Sequence, residues 1–199
     1  DQGAEGLLSQ FLRRRRVLAV LPFLRGRVLD YGCGSGVLAG CVDAQLYCGV
    51  DIDHDVIAIA RKDYPEHSFH IAELPPGSQF ETIVSLAVIE HVEDPAGFLA
   101  GALELLAPGG SIILTTPHPS FAGVHAFGAR IGLFSRAASE EHQELLDGRA
   151  MRRLAIETGL SITSYRRFLL GANQLFVLHA TEAVVNAGAG RRSALEADC

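Results

Sequence analysis

Nine residues constrain this chain more than any others: Val28-Leu29-Asp30-Tyr31-Gly32-Cys33-Gly34-Ser35-Gly36. A short apolar run ends in an acid and passes into a turn with glycine at every second position, the pattern of a buried strand feeding a tight loop. Glycine admits positive φ and leaves bare backbone against which a ligand can lie. The loop therefore reads as a cradle for a nucleotide-type ligand, with a helix expected behind it from about Val37 to Val42 whose first N–H groups can bind the ligand. The dinucleotide fingerprint G-x-G-x-x-G would need glycine at 37, where Val37 stands, so a diphosphate fits poorly.

With 199 residues, 48% hydrophobic and 20% charged, the chain is long enough for one well-cored domain and short for two. The expected domain covers residues 1–181, with a flexible tail over 182–199 where Asn186-Ala187-Gly188-Ala189-Gly190 carries no apolar period. A formal charge of −6 provides no global basic field, so no nucleic-acid partner is expected; the run Arg13 to Arg16 reads as the solvated face of an entry helix. Neither a bilayer-spanning apolar stretch nor a signal peptide is evident, which makes a cytoplasmic protein the expectation. Cys33, Cys41, Cys48 and Cys199 form no C-x-x-C pair and read as small hydrophobes, and no H-x-x-x-H or acidic cluster suggests a metal.

Taken in order, residues 4–24 show a helical apolar pattern closed by Pro22. A second strand, Leu46 to Asp51, ends in an acid 19 residues beyond Gly32. A carboxylate at a strand's end offers two acceptor oxygens in one plane and can take both hydroxyls of a ribose. Asp53 is expected to cap a helix from His54 to Asp63, and Ser68 to Ile71 to form a third strand. A fourth strand from Phe80 runs into Glu90-His91, and Asp94-Pro95 is a strong start for a helix reaching Pro108-Gly109-Gly110. Ser111 to Pro117 gives a fifth strand. A helix from about Asp147 to Thr158 then leads into two closing strands, Ser161 to Phe168 and Gln174 to His179.

As a set, Asp30-x-Gly32-x-Gly34-x-Gly36, Gly49-Val50-Asp51-Ile52-Asp53, Glu90-His91 after strand four and Pro108-Gly109-Gly110 before strand five resemble the class I S-adenosylmethionine (SAM)-dependent methyltransferases, in their ubiquinone-type small-molecule branch. The resemblance implies an α/β fold: a Rossmann-like seven-stranded sheet in the order 3-2-1-4-5-7-6, its last strand antiparallel, with helices on both faces. It implies SAM as cofactor and S-adenosylhomocysteine as product. The loop Asp30, Tyr31, Gly32, Cys33 and Gly34 would lie under the cofactor's amino-acid part, with the acid orienting the ammonium. Asp51 and Ile52 would meet the ribose and its surroundings, Ala72, Glu73 and Leu74 the adenine, and Leu86 and Ala87 the methionine arm.

The implied activity is metal-independent methyl transfer by in-line displacement to an oxygen or nitrogen of a small-molecule acceptor. The protein must align that acceptor within about 3–3.5 Å and, where needed, remove its proton. His91 at the site floor and His118 just past strand five are the candidate bases, since a neutral imidazole can take a proton near neutral pH. Between 117 and 145 lie Phe121, Val124, Phe127, Ile131, Leu133 and Phe134 among His125, Arg130, Arg136 and His142. A connection of roughly 28 residues after a strand is long enough to be a substrate-side lid. A monomer or homodimer is expected. Two rivals share the pattern: a SAM-binding partner or sensor without turnover, and another enzyme class on the same fold, such as aminopropyl transfer or a nicotinamide-dependent reaction.

Overall fold

The computed structural model describes residues 7–121 and 146–186. Seven strands form one sheet: β1 (Val28–Tyr31), β2 (Tyr47–Asp51), β3 (Ser68–Ile71), β4 (Phe80–Leu86), β5 (Leu106–Pro117), β6 (Leu160–Phe168) and β7 (Asn173–Ala180). Their order is β3-β2-β1-β4-β5-β7-β6, as the resemblance implies. The first five run parallel, while β7 is inserted antiparallel between β5 and β6. Strand order reverses between β1 and β4, and ligands of open α/β sheets bind at the carboxyl ends beside such a switch point.

Alternation along the strands sends side chains to two cores. One face carries helices α1 (Leu7–Val20) and α2 (His54–Asp63), whose Val17, Val20, Ile57 and Ala60 pack on Val28, Val84, Ile113 and Val177. The other carries α3 (Pro95–Glu104) and α4 (Gly148–Glu157), whose Leu99, Ala102, Met151 and Ala155 pack on Leu29, Ile83, Leu114 and Phe176. Local chemistry sets the helix starts. Asp53 accepts from the amides of Asp55 and Val56, Asp94 from that of Gly97, and Asp147 from those of Arg149 and Ala150.

Two sequence expectations change. No α-helix follows the glycine loop; Val37 to Val42 make turns and a short 3₁₀ segment, Ala39–Cys41. Leu38 and Ala39 are driven into the core, and a side chain at Gly40 would come within 3.2 Å of the Tyr64 hydroxyl. The segment is thus pulled inward, and so few residues nucleate an α-helix poorly. Strand β5 begins at Leu106 instead of Ser111, because Phe80 pairs with Leu106 ahead of a register shift in the ladder. Residues 182–186 form a helical turn anchored by the Val184 and Val185 amides on the Thr181 carbonyl; 187–199, the rest of the expected tail, with Cys199, lie outside the described residues. Among the described residues, no helix is long and apolar enough to cross a membrane.

Candidate active site

The loops that follow β1, β2, β3 and β4 meet at the carboxyl edge of the sheet. The Val50 carbonyl receives the amides of Gly32 and Cys33 at 2.9 and 3.0 Å, which pins the glycine loop to the end of β2. Asp51 completes the joint: Oδ2 accepts from the Gly34 amide at 2.8 Å and Oδ1 from the Asp53 amide at 3.0 Å. Each carboxylate oxygen has a further lone pair directed away from these bonds.

Two glycines of the loop have different duties. Gly32, at φ +83°, abuts Val88, and an added Cβ would lie 2.5 Å from a Val88 methyl. Gly34, at φ +51°, faces open space, with nothing within 4 Å of an added Cβ. Gly34 is therefore where bare backbone is offered to a ligand.

Beneath the loop Asp30 is buried, 2% exposed. Its Oδ2 accepts from the Tyr47 hydroxyl at 2.9 Å, while Oδ1 has no partner among the described residues. Burial pushes its pKa up to about 7; the Tyr47 bond opposes the rise and the nearby Asp51 charge adds to it. Cys33 is a buried filler whose thiol pKa burial raises further, so it is held neutral. The Tyr31 ring turns toward the other face and stacks on Phe98, with centroids 4.6 Å apart, so only its backbone belongs to the cradle.

Beyond the loop, Ile52 is 83% exposed directly after Asp51, an apolar side chain set on the rim. Ala72 and Ala87 both adopt φ of +59°, one hydrogen-bonded through its amide to the Asp51 carbonyl and the other to that of Thr115. Left-handed backbone at non-glycine residues is costly and collects at ligand sites. Glu73 is exposed, Leu74 leans on the core of the α3/α4 face, and Leu86 on that of the α1/α2 face.

The candidate bases are placed differently. His91 closes a 3₁₀ turn, Ile89–His91, with an exposed side chain. His118 lies off toward the β7 side: its amide donates to the Ala172 carbonyl, and its Nδ1 accepts from the Ser120 amide at 3.1 Å. Partial burial lowers its pKa and Arg167 lowers it further, against a smaller opposing pull from Asp147. A neutral ring that accepts at Nδ1 carries its proton on Nε2, so His118 presents a donor. Within the expected lid, Val124, His125, Phe127, Arg130, Ile131, Leu133, Phe134, Arg136 and His142 lie outside the described residues.

Sequence reasoning missed a polar group beside this edge. Arg16, assigned with its neighbours to a solvated face, turns inward, and its Nε donates to Asn173 Oδ1 at 2.8 Å. Glu90, 5% exposed, sits within reach of the Arg16 charge. Four consecutive arginines spread around a helix at 3.6 residues per turn cannot all face water, and that was the signal available.

Residues 5–165 match the model of the methyltransferase domain. The chain belongs to this methyltransferase family. The domain is 35% identical over 107 residues to a ubiquinone biosynthesis O-methyltransferase of Dinoroseobacter shibae, an alignment covering 48% of this chain and 42% of that protein. Against the protein of the same name from Cereibacter sphaeroides strain ATCC 17025 it is 34% identical over 127 residues, or 58% and 50% of the two chains. The domain thus spans half or less of the length of these curated relatives. Among solved structures, magnesium protoporphyrin IX methyltransferase from Synechocystis PCC 6803 with bound SAH superposes with a TM-score of 0.66 at 20% identity, covering 89% of each chain. A glycopeptide N-methyltransferase complexed with sinefungin gives 0.64 at 16% identity, covering 90% and 89%. These structures share the fold of the methyltransferase domain, the Rossmann-like sheet of the class I SAM-dependent enzymes.

Proposed function

We propose that the methyltransferase domain moves a methyl group from SAM to an oxygen or nitrogen atom of a small-molecule acceptor. The observation that carries this reading is the joint at Asp51, where one carboxylate at the end of β2 holds the open Gly34 of the β1 loop with exposed Ile52 beside it. The donor set suits the cofactor. Asp30 Oδ1 is a buried acceptor awaiting a donor such as an ammonium, Gly34 leaves a space that a Cβ would fill, and Asp51 keeps acceptor capacity for hydroxyls.

In this reading Asp30, the backbone from Tyr31 to Gly34, and Leu86 and Ala87 hold the amino-acid part. Asp51 holds the ribose, and Ile52, Ala72, Glu73 and Leu74 border the adenine. When bound, the sulfonium supplies a methyl group on a good leaving group. The chain's own residues then have to exclude water and align the acceptor in line with that methyl. His91 is a candidate to take the acceptor's proton, and His118, with its proton on Nε2, to donate a hydrogen bond.

Isothermal titration with S-adenosylhomocysteine on wild type and on Asp51→Ala tests the reading. Micromolar binding that weakens sharply in the variant supports it. Absence of heat together with an unchanged melting temperature would remove the cofactor from the site.

A further inference from the structure

Tyr47 is absent from every reading of the site made above, yet its buried hydroxyl lies beneath the glycine loop. The strand register explains how it gets there. Val28 pairs with Tyr47 and Asp30 with Gly49, so Tyr47 and Gly49 share the face of the sheet that Val28 and Asp30 share on β1. The Tyr47 ring runs forward along that face, past Gly49, and its hydroxyl donates to Asp30 Oδ2 at 2.9 Å. Gly49 leaves the room for this. An added Cβ there would lie 2.9 Å from the Tyr47 hydroxyl, 2.9 Å from Cys33 Sγ and 2.8 Å from the Phe69 ring. Edge contacts with His67 and Phe69, at centroid distances of 5.3 and 5.5 Å, hold the ring in place. A phenylalanine would fill the same core without the cost of burying a hydroxyl, so the oxygen has its own duty.

That duty concerns charge. Asp30 is buried beside Asp51, and both circumstances favour its neutral form; the Tyr47 donor works against them. Tyr47 stays a donor throughout, because burial and then the Asp30 charge push its own pKa far above the ordinary phenol range. The loop adds Cys33, held neutral by burial. From the neighbouring elements, β4 presents Val84 and α1 presents Val17 and Val20 to the same core, all apolar.

A carboxylate under the loop acts on a cation laid over the loop backbone through its field, which surroundings of low dielectric screen weakly. We propose that Tyr47 is a positioning residue for the cofactor: its hydroxyl keeps Asp30 ionised and oriented beneath the loop, so that the site favours a nucleoside carrying an ammonium over the same nucleoside without one. The proposal rests on the reading of the domain as a SAM-dependent methyltransferase. Affinity for the ammonium ligand then rises with pH as Asp30 ionises, around pH 7. Removing the hydroxyl withdraws the donor that favours the anion, and the rise moves to higher pH.

The test is calorimetric titration of the full chain with S-adenosylhomocysteine and with methylthioadenosine, from about pH 5.5 to about pH 8.5. Methylthioadenosine keeps the adenine, the ribose and the thioether but lacks the ammonium. In Tyr47→Phe, checked for folding by its melting curve, the midpoint of the S-adenosylhomocysteine profile should move up by about one pH unit. Affinity at neutral pH should fall about fivefold and recover toward the alkaline end. Methylthioadenosine should bind within about twofold of wild type at every pH. Placing 3-fluorotyrosine at position 47, a stronger donor of nearly the same shape, should move the midpoint down. Asp30→Asn should give a flat profile that a further Tyr47→Phe leaves unchanged. Equal losses for both ligands in Tyr47→Phe, a midpoint that neither change at Tyr47 moves, or a wild-type profile indifferent to pH would overturn the proposal while leaving the cofactor in its site. A wild-type chain that binds neither ligand would remove the cofactor reading, and the proposal with it.

Discussion

Asp51 and Gly34 are joined by a 2.8 Å hydrogen bond from the Gly34 amide to the Asp51 carboxylate. The bond fixes the position of the glycine loop relative to the second strand, so a residue assigned to a ribose also shapes the cradle beside it. Asp51→Ala therefore removes two things. We expect a loss of roughly 1–3 kcal/mol of stability, from the bonds to Gly34 and Asp53, and a fall in S-adenosylhomocysteine affinity of roughly 10- to 100-fold. Asp51→Asn keeps one acceptor oxygen, enough for only one of the two amides, and should recover part of the stability with less of the affinity. Calorimetry with thermal melts separates the two effects, and equal affinity in all three proteins would detach Asp51 from the site.

Gly32 and Gly34 should respond differently to the same change. Gly32→Ala drives a methyl group into Val88 and is expected to cost about 1–3 kcal/mol in the melt. Gly34→Ala meets no atom, so the strain of its positive φ, on the order of 1 kcal/mol, is the main cost. Its chief effect should be on cofactor affinity. Matched melting and titration of the two variants reads this directly; similar binding by Gly34→Ala and wild type would place the ligand elsewhere.

Asp30 should leave a signature in the pH profile of stability. In the folded chain its pKa is about 7 against an ordinary value of 3.8, so the native state binds the proton more tightly than the unfolded one. Its contribution is then most favourable below the unfolded value, declines as pH rises between the two, and levels off above pH 7. The groups facing it are Tyr47, Cys33 and Asp51. Asp30→Asn, which does not titrate, should gain on wild type in melting temperature from pH 4 to pH 8. A difference between the two proteins that stays constant over that range would show that Asp30 does not titrate in this way.

Thiol labelling should divide the cysteines. Cys41 is exposed, while Cys33 and Cys48 are buried with thiol pKa values raised by burial. In the native chain carrying Cys199→Ser, one thiol should react promptly and two only on unfolding. Prompt labelling of Cys33 would mean that the loop opens in solution.

What could be read from the residues alone was chiefly what is local. Asp53 and Asp94 announce their helices because a cap is made within three residues of itself, and the strand ends carrying Asp30 and Asp51 follow from short apolar runs stopped by acids. The absent helix after the glycine loop was illegible because its cause is distant: Tyr64 occupies the space beside Gly40. Arg16 was misassigned for a similar reason. Its partner Asn173 lies 157 residues away, on a strand whose place beside β5 is a property of the whole sheet. The polar group around Glu90 shares that origin, since no run of neighbouring residues contains it.

The antiparallel insertion of β7 has a consequence for the order in which the molecule can be assembled. Among the described strands the last to be synthesised is an interior one, hydrogen-bonded to β5 on one side and to β6 on the other. Until it arrives, a nascent chain bearing the first six strands has an open edge along β5, and β6 has no neighbour in the sheet. The glycine cradle can form early from adjacent segments, but the half of the sheet holding Asn173 has to wait for long-range closure. An interruption of translation before residue 173 would therefore leave a protein with an intact loop and an unpaired sheet edge, a template for association with other chains.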